Sequence, residues 1–122
     1  MGTKIDRTHL ANLLERERTQ YRHRNPKSQT LYQAATNLFG HVPMTWMNKW
    51  SGSFPLYYQS AHGNRIVDVD GHEYIDFALG DTGAMAGHSP HASTAAIESR
   101  IVVDGGITTM LPTADAQWVG AE

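Results

Sequence analysis

The sequence predicts an α+β chain in which helices precede and follow a small three-stranded antiparallel sheet. Three observations carry that prediction. β-Branched and aromatic residues alternate with polar ones on either side of Asp70-Gly71, the pattern of an antiparallel hairpin. Leu10, Leu13, Leu14 and Tyr21 recur at helical spacing. Asn25-Pro26, Ser89-Pro90 and Asp104-Gly105-Gly106 punctuate the remainder into short segments.

The elements follow in order. Asp6 can cap a first helix running to about Tyr21, and Asn25-Pro26 ends it because the residue before proline is pushed out of the α region. Glu15, Arg18 and Arg22 can pair along its solvated face. Ser28 is placed to cap a second helix, Leu31 to Leu38, with Ala34, Ala35 and Leu38 as a slim apolar face and Gly40 following as C′. Residues 41–53 then form a loop in which Met44, Trp46, Met47 and Trp50 follow no regular period, so they form either the edge of a core or the wall of a pocket.

Phe54 to Ser60 reads as an edge strand, since Pro55 cannot donate to a ladder but is tolerated at its start. Residues 61–64 turn the chain into the hairpin, where Gly71 supplies a positive φ. A two-residue loop pairs Val69 with His72 and Ile66 with Ile75, whereas a three-residue loop through His72 pairs Val67 with Ile75; both registers stay open. Gly80, Gly83 and Gly87 next enclose Asp81, Thr82, Ala84, Met85 and Ala86. Small and flexible residues so arranged suit either a close pass against a ligand or another backbone, or a tightly packed turn. Asp81 is the carboxylate to single out there, as a ligand contact or as a turn-stabilising residue.

Ser89 as N-cap and Pro90 at the first helical position open a helix to about Ile101, with Ala92, Ala95, Ala96 and Ile97 facing inward. Ile107 to Leu111 reads as a short extended link. Thr113 caps a last short helix with Asp115 in its first turn, where a negative charge suits the helix dipole. That helix stops without a cap, and the expectation is a chain that continues in a longer polypeptide.

Composition narrows the function. A chain of 122 residues with net charge −2 and 18% charged residues has no basic patch for nucleic acid. The absence of cysteine removes disulfides, thiolate metal sites and a cysteine nucleophile. No apolar run is long enough to span a membrane and the amino terminus is polar, which together with the missing cysteines fits the cytoplasm. Of the seven histidines only His88 and His91 lie three apart, with no carboxylate or thiol to complete a set, so no metal site is expected. No nucleophile elbow is present.

The string DVDGHEYIDF (residues 68–77), a glycine-rich link, GHSP (residues 87–90), a helix and then LPT (residues 111–113) resembles the amino-terminal region of class III, pyridoxal phosphate (PLP)-dependent aminotransferases. The glutamate-1-semialdehyde aminomutase branch is the most similar within that family, and the likeness covers residues 34–122. The resemblance implies a parent of the α/β fold-type I class. It divides this chain into N-terminal helices (1–40), a substrate-entrance loop (41–53), the small sheet (54–79), and a link with helices leading to a large PLP-binding domain (80–122). It implies amino-group transfer between an amino acid or amine and a keto acid or aldehyde, in a homodimer.

In that chemistry a lysine holds the cofactor and an aspartate partners its pyridine nitrogen. Lys4, Lys27 and Lys49 do not match the family's lysine, so no catalytic residue is expected in this chain and the cofactor's anchors would lie beyond Glu122. The expected partner is the remainder of the polypeptide, or a second chain carrying the PLP domain. Trp46, Met47, Asp81, Thr82, Gly83, Ala84 and Met85 would line the substrate side. Met47 falls at or beside the position of an arginine that holds a substrate carboxylate in the aminomutase branch, with Lys49 two residues on, so the bidentate fork is lost. That departure leans toward a transferase with a bulky or differently anchored substrate. Two other readings are a portion of an aminomutase, and a stand-alone interaction module that binds a partner through its apolar stripes and tryptophan loop.

Overall fold

The computed structural model describes residues 5–106 and 111–121. Helix α1 (Arg7–Arg24) starts where the Asp6 carboxylate accepts the Thr8 and His9 N–H groups, each at 3.0 Å. It runs past Tyr21 to Asn25, whose side-chain amide donates to the Tyr21 carbonyl at 2.8 Å. Along its outer face Arg22 pairs with Glu15 at 2.9 Å, an exposed contact of small energetic weight. Asn25 is both the end of α1 and the N-cap position of α2 (Pro26–Ala34), with Pro26 at the first helical position.

Helix α2 therefore begins before the expected Leu31 and ends before Leu38, and Ser28 lies inside its first turn rather than at its cap. The reason is a cap supplied from elsewhere in the chain. The Asp70 carboxylate, at the tip of the hairpin, accepts the Lys27 N–H at 2.7 Å, the Ser28 N–H at 3.0 Å and the Ser28 hydroxyl at 2.8 Å. Ser28 is fully buried, and its Oγ also accepts the Tyr57 N–H at 3.3 Å. Gly40 is not the C′ residue of α2; with φ +66° it lies in a separate 3-10 turn, Phe39–His41.

The core is small: Val42 and Phe54 are its buried hydrophobic residues among those described. The Phe54 ring packs 4.9 Å from Tyr21 and 6.4 Å from Tyr32, and the Tyr21 hydroxyl donates to the Phe54 carbonyl at 2.8 Å. This cluster explains why the first strand, β1, is Tyr58–His62 and not Phe54–Ser60. Phe54 and Pro55 are buried, and the Phe54 carbonyl is already committed to Tyr21.

β1, β2 (Arg65–Asp68) and β3 (Glu73–Ile75) form an antiparallel sheet in the order β1-β2-β3. Gly63-Asn64 makes the first turn, between the paired His62 and Arg65. In the second hairpin Arg65 pairs with Ile75, Ile66 with Tyr74 and Val67 with Glu73, which is neither expected register. The loop is Val69-Asp70-Gly71: the Asp68 N–H donates to the His72 carbonyl at 3.0 Å, and the Gly71 N–H, at φ +91°, returns to the Asp68 carbonyl at 3.0 Å. The Asp68 carboxylate fixes this choice by accepting the His72 N–H at 2.8 Å.

Helix α3 (His91–Val102) begins at Pro90 and not at Ser89, whose hydroxyl donates to the Ala61 carbonyl at 3.1 Å. Ala92, Ala95, Ala96 and Ile97 do not face inward: all are exposed, because no other described element packs on α3. In α4 (Asp115–Val119) the N-cap position is Ala114, while the Thr113 hydroxyl donates to Asp115 at 3.0 Å and Arg100 of α3 pairs with the same carboxylate. Residues 107–110 of the expected link lie outside the described residues.

Replacing Asp70 with alanine removes a cap and leaves the Ser28 hydroxyl and two N–H groups without their acceptor. The expected loss is about 1–2 kcal/mol in denaturant unfolding, with Asp70→Asn retaining part of it. An unchanged midpoint would contradict the capping role.

Candidate functional site

Two segments carry the residues singled out for the substrate side. Trp46 and Met47 lie on a 3-10 turn, Thr45–Lys49, where Trp46 is exposed and Met47 half-buried. Asp81 and Thr82 end a second 3-10 turn, Leu79–Thr82, followed by Gly83, Ala84 and Met85; Asp81, Gly83 and Met85 are exposed and Ala84 half-buried. The two turns make no contact with each other among the described residues, so this chain does not by itself bring the seven together.

The glycine-rich segment is built by a carboxylate that sequence reasoning passed over. Asp76 Oδ1 accepts the Ala78 N–H at 2.8 Å and the Leu79 N–H at 3.0 Å. Asp76 Oδ2 lies 2.7 Å from His88 Nε2, which is the donor because an ionised carboxylate can only accept. Gly63 and His88 exchange both backbone hydrogen bonds, at 2.9 and 2.7 Å. Between them Gly87, at φ +87°, runs so close that a Cβ there would meet the Gly63 carbonyl oxygen at 3.1 Å. Asp76, and not Asp81, is thus the turn-forming aspartate; the signal available in sequence was an aspartate two and three residues before backbone N–H groups at the start of a turn.

Two aspartates of the sheet region hold polar networks. Burial pushes the Asp68 carboxyl upward, but the His72 N–H, the Tyr74 hydroxyl at 2.9 Å and the His72 ring at 3.1 Å outweigh it and leave its pKa below the usual value. Burial, with Asp68 beside it, raises the Tyr74 phenol to about 12. The His88 ring, then the Leu79 N–H, hold the Asp76 carboxyl low.

A groove of about 420 Å³ opens between α1 and residues 50–52, lined by Leu14, Arg18, Tyr21, Trp50, Leu56 and Tyr74 among others. Gly52 is required there, because a Cβ would meet the Tyr21 ring at 2.4 Å. Trp50, not Trp46 or Met47, lines this groove. Both tyrosine hydroxyls are engaged, Tyr21 with the Phe54 carbonyl and Tyr74 with Asp68, and burial raises Tyr21 to about 12. The arrangement can bind an apolar group, and neither tyrosine hydroxyl is free to move a proton.

The residues present do not fit a covalent PLP anchor. Lys27 and Lys49 are exposed, and Lys4 lies outside the described residues; a lysine acting as a neutral amine needs a desolvated pocket. No helix among the described residues is long and apolar enough to cross a membrane.

No family model matches the chain. An uncharacterised aminotransferase of Schizosaccharomyces pombe is 36% identical over 76 residues, which cover 62% of this chain and 17% of that protein. A glutamate-1-semialdehyde 2,1-aminomutase of Thermoplasma acidophilum is 38% identical over 64 residues, 51% of this chain and 14% of that protein. The solved structure of a glutamate-1-semialdehyde aminomutase from Pseudomonas aeruginosa matches with a TM-score of 0.84 at 39% identity, covering 96% of this chain and 26% of that one; a variant of it was solved in complex with PMP. The chain therefore spans 14–17% of the length of these curated relatives. The resemblance read from the sequence holds: the relatives are aminotransferases and glutamate-1-semialdehyde aminomutases, a transaminase with PLP bound stands among the similar structures, and this chain matches only a fragment of them.

The carboxyls of Asp68, Asp70 and Asp76 all titrate below their ordinary value in the folded chain. For Asp70, burial acts upward but the Lys27 and Ser28 donors prevail. Groups depressed by folding contribute stability that is fully present above the unfolded value, about 4, and is lost as pH falls through the folded values. Thermal unfolding is expected to hold its midpoint above that pH and fall steadily below it, with a shallower fall in Asp70→Ala. A midpoint that rises on acidification would contradict these assignments.

Proposed function

We propose that this chain is the amino-terminal portion of a PLP-dependent class III aminotransferase, which transfers an amino group between an amino acid or amine and a keto acid or aldehyde. The supporting observation is the match of 96% of this chain, at TM-score 0.84, to only 26% of an aminomutase. The exposed apolar surface supports it too: Ile97, Ile101, Val102 and Val103 of the α3 region, and Trp118 of α4, are each at least half exposed. Such surface suits helices that lie against a larger body.

On this reading Trp46, Met47, Asp81, Thr82, Gly83, Ala84 and Met85 contribute one wall of the substrate side, and the two turns that carry them face a site completed by the remainder of the enzyme. That remainder holds PLP, which when bound supplies the electron sink for amino-group transfer. The parent works as a homodimer in the cytoplasm, and this portion lies at the subunit contact. Trp46 and Met47 give the entrance an apolar surface that excludes water. Met47 provides no charge for a substrate carboxylate, and Lys49 as a point charge lacks the planar fork. A substrate anchored otherwise follows, which favours a transferase over an aminomutase.

The test is a chimera in which residues 5–121 replace the matching segment of the Pseudomonas aeruginosa aminomutase. It is expected to show the visible absorption band of bound PLP and to transfer amino groups, whereas the 122-residue chain alone does neither. A folded chimera without cofactor, or transamination by the chain alone, would overturn the proposal.

A further inference from the structure

The segment from Leu79 to Ser89 holds backbone conformations that side-chain-bearing residues rarely adopt. Leu79 at φ +48°, Asp81 at +62° and Ser89 at +52° all lie in the left-handed region, beside Gly80 at +60° and Gly87 at +87°. Conformations of this kind persist only where their surroundings over-determine them. Burial is not what does so here, because Gly80, Asp81, Gly83, Met85 and Ala86 are exposed.

What fixes the segment lies at its two ends. Before it, one Asp76 carboxylate accepts the Ala78 and Leu79 N–H groups and meets His88 Nε2 at 2.7 Å. After it, the backbone of His88 is paired with Gly63, which ties the far end to the β1–β2 turn. The facing side chains of the pair are 20% exposed for His88 and 10% for Asp76. Inside the ring so closed, the Ala84 N–H donates to the Leu79 carbonyl at 2.9 Å and the Gly87 N–H to the Ala84 carbonyl at 2.8 Å.

We infer that Asp76 and His88 form a clasp that closes the Leu79–Gly87 loop and holds it in this conformation, making both of them positioning residues for the segment that carries Asp81 to Met85. Its bearing on substrate rests on the function proposed above; the clasp itself does not.

Amide hydrogen exchange on the full 122-residue chain tests it without cofactor or turnover, so a failed chimera and a failed clasp are told apart. The Ala84 and Gly87 amides report the loop, and the Asp68 and Val69 amides, which donate to His72 and Tyr57, report the hairpin. In His88→Ala the loop amides are expected to exchange about tenfold faster or more while the hairpin amides keep their rates. Asp76→Ala is expected to do the same, with no further acceleration in the double variant. His88→Gln is expected to restore slow exchange, because its terminal amide N–H can reach the position of Nε2. Unchanged loop exchange in His88→Ala, equal acceleration of the hairpin, or no rescue by glutamine would each overturn the clasp.

Discussion

One carboxylate joins the two halves of this structure. Asp70 stands at the tip of the β2–β3 hairpin and accepts the first free N–H groups of α2, together with the buried Ser28 hydroxyl. An α-helix begins with N–H groups that have no partner within the helix, and their acceptor sets where it can start. Here that acceptor is more than forty positions away in sequence, so helix and sheet define each other. The dependence extends to register. A one-residue slip in the β2–β3 pairing would turn every side chain to the opposite face, and Asp68 prevents it by holding the His72 N–H on its own carboxylate.

The same device recurs where a larger protein would use a core. Only Val42 and Phe54 are buried hydrophobic residues among those described, and the remaining order rests on Asp6, Asp68, Asp70 and Asp76, each of which accepts backbone N–H groups. Hydrogen bonds of this charge-assisted type are directional and fix local geometry well. They do not bury apolar area, and α3 and α4 accordingly leave isoleucines, valines and a tryptophan in contact with solvent. A chain ordered largely by polar contacts, with apolar helix faces uncovered, is physically suited to be one part of a larger protein.

Much of this was legible in the sequence, and the parts that were not share a cause. Asp6 as a cap, the break at Asn25-Pro26, the hairpin around Asp70-Gly71 and the end of α3 before Gly105 all depend on neighbours within a few residues. The start of α2 depends on Asp70, and the beginning of β1 on Tyr21 taking the Phe54 carbonyl; neither contact is local. The hairpin register was decided by a side chain, Asp68, that the alternation pattern treats only as polar. At the candidate site, the glycines drew attention to Asp81, whereas the carboxylate that shapes the loop is Asp76, paired with a histidine across the whole glycine-rich stretch. The family resemblance was legible because its motifs, DVDGHEYIDF and GHSP, are contiguous in the chain. Whether the Trp46 turn and the Asp81 turn share a site is not decided by contiguous residues, because nothing among the described residues joins them.

The most direct measurement is the amide exchange of Lys27 and Ser28 in the unaltered chain, compared with Ala92 and Ser93 in the first turn of α3, a helix start with no side-chain cap. If Asp70 joins helix to hairpin, the Lys27 and Ser28 amides exchange together with the hairpin and far more slowly than the uncapped pair. Exchange as fast as that of Ala92 and Ser93 would mean that the contact does not hold in solution, and that helices and sheet are not organised around it.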